Sequence, residues 1–243
     1  MRKHQYTILV VVLLLLAVAI FNEATPVPPI DINRLNSSRR QPEPAISVPA
    51  QAGNITELLI NATVVTKTWQ GYYGNVTGRI VLDNSDNMSM YDWSITTPEG
   101  EIYTANETIT DWSSIKCFDY FATGGELNLS LLETALGCAG DADGVNETFT
   151  AKQHPSFYVG TKKISANSCW ATRTYVNDGS STNFYEVLLI APTENTVVYT
   201  TLINASQTNF AGTNSDFQII VGENGHGTAA NTKTPYYFYV EIY

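Results

Sequence analysis

A two-residue alternation that keeps returning in short runs, each cut off by turn-forming residues, constrains this chain more than any other feature. The clearest run closes the sequence: Tyr236, Phe238, Val240 and Ile242 fall on one face, and Tyr237, Tyr239, Glu241 and Tyr243 on the other. That period belongs to a strand, and a terminal strand with an apolar face frays unless a sheet holds it. The same grammar predicts strands over Leu58 to Val65, Tyr91 to Ile95, Phe157 to Val159, Phe184 to Ile190, Thr196 to Ile203 and Phe217 to Val221. These runs are rich in aromatic and β-branched residues. Asn177-Asp178-Gly179-Ser180, Ala191-Pro192 and the glycine-rich stretch from Gly222 to Gly227 separate them. Pro98-Glu99-Gly100 reads as the turn of a hairpin from Tyr91 to Thr104, and Asp83 to Asn87 as a polar loop between strands.

One segment breaks the pattern. Leu129, Leu132 and Leu136 recur at helical spacing, and Gly137 follows where a helix would stop, predicting one short helix over about 128 to 136. The expected fold is mostly β, a β-sandwich or jelly-roll-like body with one short helix, preceded by an N-terminal hydrophobic leader helix.

Three zones follow along the chain. Residues 1–24 read as a signal peptide or signal anchor, with Arg2, Lys3 and His4 ahead of an apolar run from Ile8 to Phe21. The run is short against the roughly 20 residues of a spanning helix. It engages the membrane over residues 8–21 if it is not cleaved. Residues 25–52 hold Pro26, Pro28, Pro29, Pro42, Pro44 and Pro49 and predict an extended stalk, or an arm that reaches a neighbouring subunit by strand addition. Residues 53–243 form the expected β-rich extracellular domain.

Charge and modification signals narrow the setting. The formal net charge of −10 leaves no basic footprint for nucleic acid. N-glycosylation sequons start at Asn36, Asn54, Asn61, Asn75, Asn87, Asn106, Asn128, Asn146 and Asn204. Chance would supply about four in a chain with this content of Asn, Ser and Thr. The excess points outside the cell, where N-glycans would cover the surface. Three cysteines in an oxidising compartment predict one disulfide and one leftover thiol. Cys117–Cys138 closes a short loop and is the first expectation; Cys169 is free or the alternative partner.

Searching for chemistry yields little. Outside the leader only His154 and His226 are available as bases, and no Gly-x-Ser-x-Gly nucleophile elbow occurs. No catalytic residues are expected. Asp141, Asp143, Asn146 and Glu147 resemble a Ca²⁺ loop in composition but depart from the EF-hand pattern, because Gly144 comes too early and no Glu closes the loop. Otherwise no cofactor is expected. Tyr72, Tyr73, Tyr237, Tyr239 and Tyr243 are candidate contact aromatics.

Trp69-x-Gly-Tyr-Tyr-Gly-Asn-Val-Thr-Gly, Tyr91-x-Trp93, Gly100-Glu101-x-Tyr103 and Trp112 with Cys117 form a combined pattern. His154-Pro155-Ser156-Phe157, Ala166-Asn167-Ser168-Cys169, Phe184 to Leu189, Asp216-Phe217-Gln218 and the closing Tyr236 to Glu241 extend it. The pattern resembles a group of archaeal secreted or surface proteins across residues 52 to 243. That resemblance implies an archaeal envelope and no assigned reaction. The functional expectation is a non-catalytic, glycosylated structural protein, a subunit of a filament, surface layer or other cell-envelope assembly that contacts copies of itself or other envelope proteins. A stalked adhesin or glycan-binding module is the alternative, and a secreted enzyme a distant third.

Overall fold

The computed structural model describes residues 25–225 and 233–243. The expected leader and His226 lie outside the described residues. Among those residues, no helix is long and apolar enough to cross a membrane. In chain order the strands are β1 (Trp69–Gly74), β2 (Gly78–Asp83), β3 (Ser89–Ile95), β4 (Gly100–Ala105) and β5 (Lys116–Cys117). Helices α1 (Leu129–Leu136) and α2 (Val145–Thr148) follow. Then come β6 (Phe157–Val159), β7 (Lys162–Ile164), β8 (Ala171–Arg173), β9 (Tyr185–Ala191) and β10 (Thr196–Leu202). The chain continues through β11 (Gln207–Thr208), β12 (Asn214–Ser215), β13 (Phe217–Gly222) and β14 (Tyr237–Ile242). The protein is β-rich with little helix.

The central sheet runs β14-β4-β10-β9, all antiparallel, with β5 and β8 end to end along the outer edge of β9. Its middle strands are buried on both faces, which explains why β9 reads as a nearly unbroken apolar run, Val-Leu-Leu-Ile-Ala, rather than an alternation. On one face Val187, Leu189, Val198, Tyr103 and Tyr239 pack with Trp112, Ile115 and the β6–β7 hairpin. On the other, Leu188, Ile190, Val197 and Tyr199 pack against Leu132 and Leu136 of α1 and Ile219 and Val221 of β13. β13 pairs with β1, so this two-stranded ribbon covers the second face. Trp69 of β1 sets its ring near Phe149 and edge-on to Tyr199.

The expected helix is present, with both its stops visible. Asn128 caps its start, the side-chain oxygen accepting from the Leu131 N–H at 3.1 Å. Gly137 ends it in the left-handed region at φ 70°, its N–H turned to the carbonyls of Glu133 and Thr134.

Four expectations are corrected. The strand over Leu58 to Val65 does not form; residues 58–64 are exposed and Val65 is half-buried, with no sheet partner among the described residues. The Tyr91–Thr104 hairpin is replaced by two other pairings: β3 pairs with β2, and β4 lies between β10 and β14. The cause is burial. Every residue of β4 is buried and needs a partner on each edge, whereas β3 is exposed at every residue but Ile95. Helix α2 was not anticipated, because four residues carry too little periodicity to register.

The disulfide joins Cys117 to Cys169, not to Cys138. Cys117 pairs across from Leu189 and Ala171 across from Val187, so β5 and β8 bring Cys117 and Cys169 together on one edge of β9, with Cα atoms 4.9 Å apart. Cys138 lies in the cluster on the opposite face, with Leu188 and Ile190. The thickness of the sheet separates it from Cys117, and it remains a buried free thiol.

Candidate functional site

Among the described residues, the β2–β3 ribbon leaves an apolar face exposed. Its register sets Ile80 opposite Trp93 and Leu82 opposite Tyr91, so four large apolar side chains share one face. Their exposures are 46% for Ile80, 51% for Leu82, 59% for Tyr91 and 50% for Trp93. The two rings touch at 4.8 Å between centroids. On the opposite face Arg79 pairs with Asp92 at 3.2 Å. At the tip the Asn84 side chain accepts from the N–H groups of Asp86 and Met88, and Asn87, a sequon residue, takes a left-handed φ of 60°. Where the ribbon leaves the body, Gly78 sits against Ile242 so closely that an added Cβ would lie 2.7 Å from its Cδ1.

The N-terminal arm is the second surface. Val27 makes both hydrogen bonds of an antiparallel bridge to Val240, at 3.0 and 2.8 Å, and so touches the free edge of β14 at one point. Pro26 beside it is buried. From Ile30 to Val64 the chain is exposed throughout. Leu35, Ile46, Ile55, Leu59 and Ile60 project into solvent.

The candidate contact aromatics divide. Tyr72 and Tyr73 are exposed, each edge-on to a neighbour, Phe238 and Phe210 respectively. Tyr237 and Tyr243 are exposed. Tyr239 is buried, its hydroxyl accepting from the Ile109 N–H at 2.9 Å and its ring against Trp112.

The loop with calcium-like composition is tied into the fold. Asp143 accepts from the Thr66 hydroxyl at 2.5 Å, and its backbone carbonyl accepts from the Trp69 indole at 2.7 Å. Glu133 of α1 accepts from the Asn146 N–H, and Glu147 from the Asn146 side chain. Among the described residues no group of three or more His, Cys, Asp or Glu side chains is placed to hold a metal ion.

His154 is engaged at both ring nitrogens. Nε2 accepts from the N–H groups of Ser168 and Cys169 at 3.2 and 3.0 Å, which places the proton on Nδ1, 2.7 Å from the Pro155 carbonyl. Burial holds its pKa below the usual imidazole value. The ring thus braces the backbone at the disulfide.

The two most deeply buried carboxyl groups among the described residues, Glu186 and Glu101, carry no signal in the sequence. Glu186 of β9 is fully buried; one oxygen accepts from the Ile220 N–H at 2.8 Å and the other has no partner among the described residues. Burial raises its pKa well above the ordinary carboxylate value. Glu101 of β4 is buried across from Glu241 of β14 and accepts from the Tyr243 hydroxyl at 3.0 Å. Burial pushes its pKa up to about 8, with the Tyr243 hydrogen bond opposing and the Glu241 charge adding. Glu241 itself accepts from the Tyr103 hydroxyl and the Gly160 N–H.

The sequon asparagines also separate by environment. Asn36, Asn54, Asn61, Asn75, Asn87, Asn106 and Asn146 are exposed. Asn128 and Asn204 are half-buried, and their side-chain amides donate to the carbonyls of Ala122 and Asn183.

No protein-family profile, curated protein or solved structure matches the chain.

Proposed function

We propose that this protein is a non-catalytic, glycosylated subunit of an extracellular assembly (a filament, surface layer or related envelope structure) built on a sandwich-type β body. The observation that carries the reading is the bare apolar face of the β2–β3 ribbon in a chain that also extends a long apolar-studded arm. A two-stranded ribbon is marginal in water by itself and gains stability when a third strand or another apolar face covers it. The arm supplies Leu58, Ile60, Ala62 and Val64 at strand period, yet finds no sheet among the described residues. An arm of one copy adding to the ribbon of the next would satisfy both, since main-chain hydrogen bonds give affinity and alternate side chains give register. The resemblance to archaeal secreted and surface proteins agrees with this reading in location.

Light scattering and electron microscopy of the native secreted protein test it, alongside a variant lacking residues 31–65 and a Trp93→Ser variant. The expected result is ordered polymers from the native chain and monomers from the arm deletion, with assembly weakened in Trp93→Ser. Unaltered polymers from both variants would remove these contacts from the assembly. A native chain that stays monomeric and binds sugars on an array would identify a stalked glycan-binding module instead.

A further inference from the structure

A groove of about 220 Å³ lies between α1 and the start of β10 in the central sheet. Its floor is apolar and aromatic, formed by Leu132, Leu136, Tyr199 and Tyr236, and its rim is polar, with Asn195 and Asn224. The volume falls below the roughly 300–1,000 Å³ of common small-molecule sites, leaving room for about one sugar ring. Gly222 opens the floor, because a Cβ there would meet Leu136 at 2.6 Å and the Tyr199 hydroxyl at 2.7 Å. The Tyr236 hydroxyl is committed to the Gly222 carbonyl. The fully buried Tyr199 hydroxyl has no hydrogen bond of good geometry among the described residues, an expensive state for a buried polar group.

One wall of this groove is Asn106, the first residue of the sequon Asn106-Glu107-Thr108. Its side-chain oxygen accepts from the Thr196 hydroxyl at 2.6 Å, which fixes the rotamer, and its Nδ2 makes no hydrogen bond among the described residues. We propose that Asn106 carries an N-linked glycan whose first sugar ring is seated in this groove. This inference rests on the extracellular reading above. In the attachment the Asn106 Nδ2 bonds to the anomeric carbon of a lipid-phosphate-linked oligosaccharide. The bond from that carbon to the phosphate oxygen breaks, and the amide proton leaves with the lipid phosphate. The sugar lays an apolar ring face on Tyr236 and the leucines and offers hydroxyls to the polar rim, the pairing of apolar body and polar edge that saccharide sites use. Asn128 and Asn204 carry no glycan, because their half-buried Nδ2 groups are engaged in donating to the carbonyls of Ala122 and Asn183.

Glycopeptide mass spectrometry of the native protein, followed by thermal melting of Thr108→Ala, Thr108→Ser and Thr77→Ala, tests the assignment. Thr108→Ala removes the Asn106 sequon while sparing the Asn106–Thr196 bond; Thr108→Ser keeps the sequon. Thr77→Ala removes the sequon of Asn75, which is exposed in the turn between β1 and β2. The expected result is sugar on Asn106, none on Asn128 or Asn204, and a Tm loss of a few degrees for Thr108→Ala that Thr108→Ser restores and Thr77→Ala does not show. Sugar on Asn75 and the arm sequons with Asn106 bare would overturn the groove assignment and leave the extracellular reading standing. Equal Tm shifts for Thr108→Ala and Thr77→Ala would overturn the seating. A native protein bare at every sequon would overturn both.

Discussion

Raising the pH from 4.5 to 7 is expected to destabilise this protein through Glu101. In the folded chain its carboxyl is buried and titrates near 8, against 4.5 for an ordinary glutamate. Between those values the native state keeps a proton that the unfolded chain releases, so the stability this group contributes is complete below pH 4.5 and is lost as pH rises toward 8. At about 1.4 kcal/mol per pH unit inside the window, and less at its lower end where the unfolded carboxyl is half-ionised, the climb from 4.5 to 7 removes about 3 kcal/mol. Glu186, raised by the same burial, adds a loss of the same sign. His154 acts in the opposite direction near its unfolded pKa, because its folded value is lowered and acid therefore destabilises it. The variant Glu101→Gln isolates the term: a neutral amide keeps an acceptor for the Tyr243 hydroxyl and has no proton to lose. Urea unfolding of both proteins from pH 4.5 to 8 gives the readout. The stability of Glu101→Gln relative to the native chain should rise by about 3 kcal/mol between pH 4.5 and 7. Parallel pH profiles for the two proteins would refute the argument, since Glu101 would then titrate alike when folded and unfolded.

The disulfide and one backbone position give two further tests. Peptide mapping without reduction should recover Cys117 linked to Cys169. Replacing Cys169 by alanine should cost about 4 kcal/mol by the loop-entropy relation for a 52-residue separation, while Cys138→Ser should leave the mapped linkage unchanged. Gly100→Ala should cost more than the roughly 1 kcal/mol of an ordinary glycine substitution. Gly100 sits at φ 133°, and the added methyl would lie 2.0 Å from the Glu241 carbonyl oxygen, so β14 must shift away from β4. Calorimetry reads the loss, and a melting temperature within a degree of the native chain would contradict the packing described.

The strands that the chain announces are those whose signal is carried by their own residues. β9, β10, β13 and β14 appear close to where their apolar runs lie, and α1 falls between Asn128 and Gly137 because both caps are local chemistry. Pairing is different. Tyr91 to Ile95 alternates as a strand should, but nothing in those residues says whether β2 or β4 lies beside it. The expected 117–138 disulfide followed from loop length, a property of the chain; the observed one follows from which face of the sheet each sulfur occupies. Nothing in Gly-Glu-Ile-Tyr-Thr sets Glu101 apart from the other acids of the chain; its burial comes with the pairing of β14 along β4. The apolar residues of the ribbon were legible one by one, whereas their shared, uncovered face emerges only with the β2–β3 register.

Read alone, the amino-acid order of this protein determined its β character, its single appreciable helix, its acidic balance and its density of sequons, because each depends on neighbours within a few positions. Tertiary structure decided the sheet order, the cysteine partners, the burial of Glu101 and Glu186, the groove beside Asn106 and the bare ribbon. Each of these arises where segments distant in sequence meet, and a contact between distant segments is selected by the burial and hydrogen bonding of the whole chain rather than by any run within it.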